Sequence, residues 1–123
     1  MASSRGMSVL CIGNEAVALN FRCSLLKKNG FHVLSSTSGH EGVLRFEKES
    51  VDAVVIDFND DGAEAALIIS ALKKAKPEVP VIMLVKEKKT LAPGATSQAD
   101  AVLTRSEETG RLVSIVRALA QHR

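Results

Sequence analysis

The sequence predicts an α/β domain in which five parallel strands, ordered 2-1-3-4-5, are covered by helices on both faces. Three observations carry that expectation. Five short, β-branched apolar runs alternate with longer amphipathic stretches, the pattern of strand–helix–strand units with right-handed crossovers. The third run is apolar without alternation from Ala53 to Ile56, as a central strand buried on both faces should be. The length, 123 residues, is that of one domain. The expected division is a tail over residues 1–6 and one domain over 7–123.

Each element has its own signal. Ser8–Ile12 (SVLCI) reads as the first strand. Asn14 to Asn29 reads as the first helix, with Val17, Phe21 and Leu25 at i, i+4 and i+8 on its expected inner face. Gly30 supplies a left-handed terminator before the second strand, Phe31–Ser35. Ser38-Gly-His-Glu41 has the form of a capping box, and the helix it opens should turn Val43, Leu44 and Phe46 inward. Val51–Asp57 is the third strand, and Asn59-Asp-Asp-Gly62 a turn. Ala63 to Ala75 forms the next helix, packing through Leu67, Ile68 and Leu72. Val81–Val85 follows as the fourth strand. Lys86 to Gln98 contains Pro93-Gly94 and has no helical period, so the fourth helix should be short or missing. Ala101–Leu103 is a short fifth strand. Ser106 to Gln121 closes the chain as a helix with Leu112, Ile115, Val116 and Leu119 on one face.

Composition removes several classes of function. Lys plus Arg is 16 and Asp plus Glu is 14, a formal net charge of +2. So small a balance points neither to nucleic acid nor to a membrane surface. The aromatic residues are all Phe, at 3%, which leaves no stacking platform for single-stranded nucleic acid. The opening MASSRGM has no apolar core of a signal peptide, and no apolar run approaches the ~20 residues of a membrane helix. A cytoplasmic location is expected. Cys11 and Cys23 lack CxxC or metal spacing and read as small buried thiols. His32 and His40 have no partner at ligand spacing. Lys86, Lys88 and Lys89 read as a solvated loop.

An open parallel sheet binds at the carboxyl ends of its strands, where the strand order reverses. In the order 2-1-3-4-5 that point lies between the first and third strands. Gly13-Asn14-Glu15 and Asp57-Phe58-Asn59-Asp60 leave those strands; Val85-Lys86 and Thr104-Arg105-Ser106 share the rim. The topology therefore gathers one carboxylate, Asp57, with Lys86 and Arg105. An unpartnered carboxylate leaving a buried strand is costly. Arg105 is the expected partner, able to fork onto Asp57 with two hydrogen bonds, and Lys86 its competitor.

These segments resemble the receiver domain of bacterial two-component response regulators, over Met7–Gln121. VVIDFNDDG, with Asp57 closing the strand, is similar to the segment carrying that family's phospho-accepting aspartate. Gly13-Asn14-Glu15 falls where the family has acidic residues. PVIMLV, ending at Val85, resembles the fourth strand with its closing hydroxyl residue; ADAVLTRS, Ala99–Ser106, resembles the fifth strand with its Lys-Pro pair. The resemblance implies a flavodoxin-like (βα)5 three-layer sandwich and a part in phosphorelay signal transduction. It also implies a protein partner, either a histidine kinase or an effector domain.

The departures fall on the site. Gly13 and Asn14 replace the acidic residues that, with the aspartate, hold Mg²⁺ in the family; Glu15 and Asp57 are the remaining weak metal candidates. Asp60 and Asp61 could add carboxylates but read as a solvated turn. Val85 cannot hydrogen-bond, Arg105 stands for the Lys, and Ser106 for the Pro. Val102 stands where the family has its switch aromatic. The expectation is a pseudo-receiver, not an enzyme, with no cofactor, acting through protein–protein interaction. The alternatives are an Mg²⁺-dependent phosphoacceptor using Asp57, and a flavodoxin-like small-molecule binder at the rim near Gly13.

Overall fold

Residues 6–58, 62–87 and 91–121 are described by a computed structural model. Five parallel strands make one sheet of order β2-β1-β3-β4-β5: β1 Ser8–Gly13, β2 His32–Ser36, β3 Ala53–Asp57, β4 Val81–Val85 and β5 Ala101–Thr104. Side-chain alternation divides the strand residues between two layers. Leu10, Ile12, Val54, Ile56, Val81 and Met83 pack with Phe46 of α2 (Gly39–Lys48) and Ile69 and Leu72 of α3 (Ala63–Ala75). Val9, Cys11, Ala53, Val55, Ile82 and Leu84 pack with Leu19 and Leu26 of α1 (Ala16–Lys28) and Leu112 and Val116 of α4 (Glu108–Gln121). β3 and β4 are buried at every position, which is why those two runs lack the alternation of a half-exposed strand.

The register places the rim. Gly13 is the partner of Asp57 across β1 and β3, and Val85 the partner of Thr104 across β4 and β5. Gly30 takes φ +93° directly after α1, the left-handed turn its position predicted. Ser38 Oγ accepts the Glu41 N–H at 3.3 Å, capping α2. Between β4 and β5 the described residues form turns over 93–98 and no helix.

Three expectations about the helices need correction. Val17 and Phe21 are 80% and 51% exposed, whereas α1 buries Leu19, Arg22 and Leu26. Its inner face carries a charged residue, so a search for apolar period alone selects the wrong stripe. Leu44 and Leu67 likewise face solvent; Gly42 and Ile69 take the inward positions beside them. The last helix does not begin at Ser106. Arg105–Glu107 forms a single 3-10 turn first, and the Glu107 carboxylate accepts from the Thr104 N–H and Oγ1–H, each at 2.9 Å.

Candidate functional site

The carboxyl ends of β1, β3 and β5 surround Asp57. Two residues on from Val55, its side chain falls on the α1/α4 side of the sheet, and it is 3% exposed. Its two oxygens have different partners. Arg105, just beyond β5, donates Nη2–H to Oδ1 at 2.9 Å. Arg22, from the inner face of α1, donates Nη2–H to Oδ2 at 3.0 Å.

Arg22 is itself held from behind. Its Nε–H donates to Glu108 Oε2 at 2.6 Å, and Nη2 also reaches Glu108 Oε1 at 3.3 Å. Glu108 opens α4 and is 7% exposed; Arg22 is 1% exposed. Burial pulls the guanidinium pKa down. The hydrogen bond and charge of Glu108, with the charges of Asp57 and Cys11, more than offset burial, and the net direction is up. Arg22 is therefore a permanent buried cation, paired on both sides as such a group must be. The two arginines and two carboxylates have formal charges that sum to zero.

Gly13 makes room for this arrangement. A Cβ there would lie 3.0 Å from the Asp57 carbonyl oxygen and 3.7 Å from Arg22 Nη1. A side chain at position 13 would thus point at the space the guanidinium occupies. Among the other expected rim residues, Val85 is 4% exposed and packs in the α2/α3 layer. Asn14, Glu15, Lys86 and Ser106 are exposed. Glu15 is the N-terminal flank of α1 without a side-chain cap, and the Ser106 hydroxyl is 3.0 Å from Thr104 Oγ1. Asn59, Asp60, Asp61, Lys88 and Lys89 lie outside the described residues. Among the described residues, no three His, Cys, Asp or Glu side chains are grouped so as to hold a metal ion.

The Asp57–Arg105 contact expected from topology is thus present, but through one nitrogen rather than a fork. Among the described residues the buried Arg105 Nε–H has no partner. Sequence reasoning missed Arg22 and Glu108. A basic residue between two inward leucines, Leu19 and Leu26, was the available signal for Arg22. An acidic residue four positions before the inward Leu112 was the signal for Glu108.

A family model for the response regulator receiver domain matches residues 9–117. The transcriptional regulatory protein GlrR of Escherichia coli (strain K12) is 32% identical over 82 residues, 67% of this chain and 18% of GlrR. The chain thus spans under a fifth of the length of that curated relative. The response regulator TrrA of Thermotoga maritima, solved in complex with Mg(2+)-BeF, superposes with a TM-score of 0.82 at 18% identity, over 92% of this chain and 98% of its own. A receiver domain from Clostridium thermocellum superposes with a TM-score of 0.82 at 22% identity, over 94% and 95%. At these identities the structural likeness concerns the fold.

Proposed function

The chain belongs to the response regulator receiver domain family, and on that footing we propose that it is a pseudo-receiver, signalling by protein–protein contact with Asp57 as a structural carboxylate. One observation carries this reading: both Asp57 oxygens accept from guanidinium groups, one of them buried and anchored. A carboxylate oxygen that is to attack phosphorus needs an open path to the donor, and Asp57 is 3% exposed. Here each oxygen is engaged, and Arg22 is tied to Glu108 as well.

The residues present do not fit the Mg²⁺ that the family uses. Magnesium requires hard oxygen ligands in near-octahedral array. Of the three relevant positions, Gly13 has no side chain, Asn14 is a neutral amide, and Asp57 is taken by arginines. Repulsion adds to this. Two unit charges about 4 Å apart cost roughly 4 kcal/mol at an effective dielectric near 20, and a divalent ion beside Arg22 roughly double. The four-residue cluster, already neutral, offers no excess negative charge to offset that cost. Val85 adds no hydroxyl for a phosphoryl oxygen and is packed away from Asp57.

The partner is a protein of the same signalling class, a histidine kinase or an effector domain. The test is direct. Incubation with Mg²⁺ and acetyl phosphate, followed by intact-mass measurement, should return unmodified protein. A stoichiometric single phosphoryl adduct, absent from Asp57→Asn, would establish the phosphoacceptor reading instead.

A further inference from the structure

Helix α1 turns a second apolar row away from the protein. Val17, Phe21 and Leu25 recur at i, i+4 and i+8 and form a ridge along one side of the helix. Val17 is 80% and Phe21 51% exposed, and Leu25 is partly buried. Surface apolar side chains scattered singly are ordinary, whereas a contiguous row marks an interaction site. Beside the ridge runs a row of small exposed residues, Ala16, Asn20 and Ser24, ending at Lys28. The difference in height between the rows leaves an apolar groove lined by Phe21, Ser24, Leu25 and Lys28.

This strip is complementary to itself. Phe21 is its midpoint, with Val17 four residues before it and Leu25 four after. Two copies of α1 laid antiparallel about a twofold axis at Phe21 set Val17 of each beside Leu25 of the other. The ridge of each then lies in the groove of the other. The charges match in the same orientation. Glu15 flanks the N-terminus of α1, and Lys27 and Lys28 end it; all three are exposed. Among the described residues, none of them makes an ion pair within the chain. Antiparallel packing brings Glu15 of one copy to the lysines of the other, while parallel packing would set like charges together. The net charge of +2 puts little general repulsion in the way.

We propose that this ridge of α1 is a homodimer interface, in which α1 packs antiparallel against α1 of a second copy of this chain.

Phe21, an aromatic side chain at the centre of the contact, is its anchor. The charges at the two ends set orientation more than affinity. One helix face falls short of the ~1,200 Å² of a standard interface, so the dimer should be weak, with a Kd on the order of 100 μM. Asp57 and Arg22 lie on the opposite, inner side of α1, so the proposal stands apart from the reading of Asp57.

Sedimentation equilibrium of the full chain at rising concentration should show the mean mass climbing from that of one chain toward that of two. Concentration-dependent amide shifts should map to Val17, Phe21, Ser24 and Leu25. Phe21→Glu, at an exposed position, should stay monomeric with little change in its thermal melt. Glu15→Lys, and separately Lys27→Glu/Lys28→Glu, should each weaken association several-fold, because like charges then meet at both ends. Mixed in equal amounts, these two variants should associate as wild type does, since each end of the mixed dimer pairs Lys with Glu. Loss in each variant and recovery to the wild-type level on mixing is specific to the antiparallel arrangement. The mass of one chain at all concentrations up to about 1 mM would overturn the proposal and leave the ridge to a different protein. Association that survives Phe21→Glu, shifts confined to the exposed Leu44 and Leu67 of the other layer, or no recovery on mixing would overturn it as well.

Discussion

Removal of Arg22 should be the most damaging single change at the rim. Arg22→Ala deletes a guanidinium that is 1% exposed and bonds two carboxylates, Asp57 at 3.0 Å and Glu108 at 2.6 Å. Asp57 keeps Arg105, but Glu108 loses both of its hydrogen bonds from Arg22. Breaking one side of a buried ion pair costs about 3–5 kcal/mol, mostly because a charge is left buried and unpaired. The lost stem packing between Leu19 and Leu26 acts in the same direction. A loss of about 4 kcal/mol is therefore expected in equilibrium urea unfolding, near the middle of that range. Arg22→Lys keeps the charge but not the geometry that reaches both carboxylates, so its loss should be intermediate. Arg22→Met/Glu108→Leu, which removes the buried charge on both sides, should recover much of the stability lost in Arg22→Ala. A loss below about 1 kcal/mol for Arg22→Ala, the scale of an exposed pair, would refute the claim that this cation anchors the site.

Arg105→Ala should cost about 1–2 kcal/mol, less than Arg22→Ala, because Arg105 is 29% exposed and grips Asp57 through one nitrogen; Lys86→Ala, at an exposed position, should stay within about 0.5 kcal/mol of wild type by the same assay. Gly13→Asp should lower the thermal midpoint, since its Cβ would stand 3.0 Å from the Asp57 carbonyl. That variant should also gain no Mg²⁺-dependent stabilisation while Arg22 remains. On α1, Leu26→Ala should lose about 2–5 kcal/mol as a buried leucine. Val17→Ser and Phe21→Ser, by contrast, should change stability little, as exposed positions do; circular dichroism melts separate the two cases.

The strands were legible because their signals are local. β3 and β4 lack alternation, and that alone places them at the centre of the sheet. Gly30 marked the end of α1 through a backbone requirement that only its own residue type had to meet. Helix faces were less legible. Hydrophobic period assumes that charged residues face water, and in α1 the residue between Leu19 and Leu26 is an arginine paired from two other elements. Its partners lie 35 and 86 positions away, so no window along the chain contains the reason for its burial. Asp57 and Arg105 could be brought together from topology, because each ends a strand at the same rim. The Arg22–Glu108 contact joins two helices, and their packing against the sheet decides it.

The claim at the centre is that Arg22 and Arg105 occupy Asp57 in place of a metal and a phosphoryl group. Amide NMR spectra recorded before and after addition of Mg²⁺ with beryllofluoride, a phosphoryl mimic on aspartate, test it most directly. Shifts at Gly13, Asp57 and Arg105 should be nearly unchanged, with none spreading to Val102. Saturable shifts at those residues that require both Mg²⁺ and beryllofluoride, and that vanish in Asp57→Asn, would contradict it.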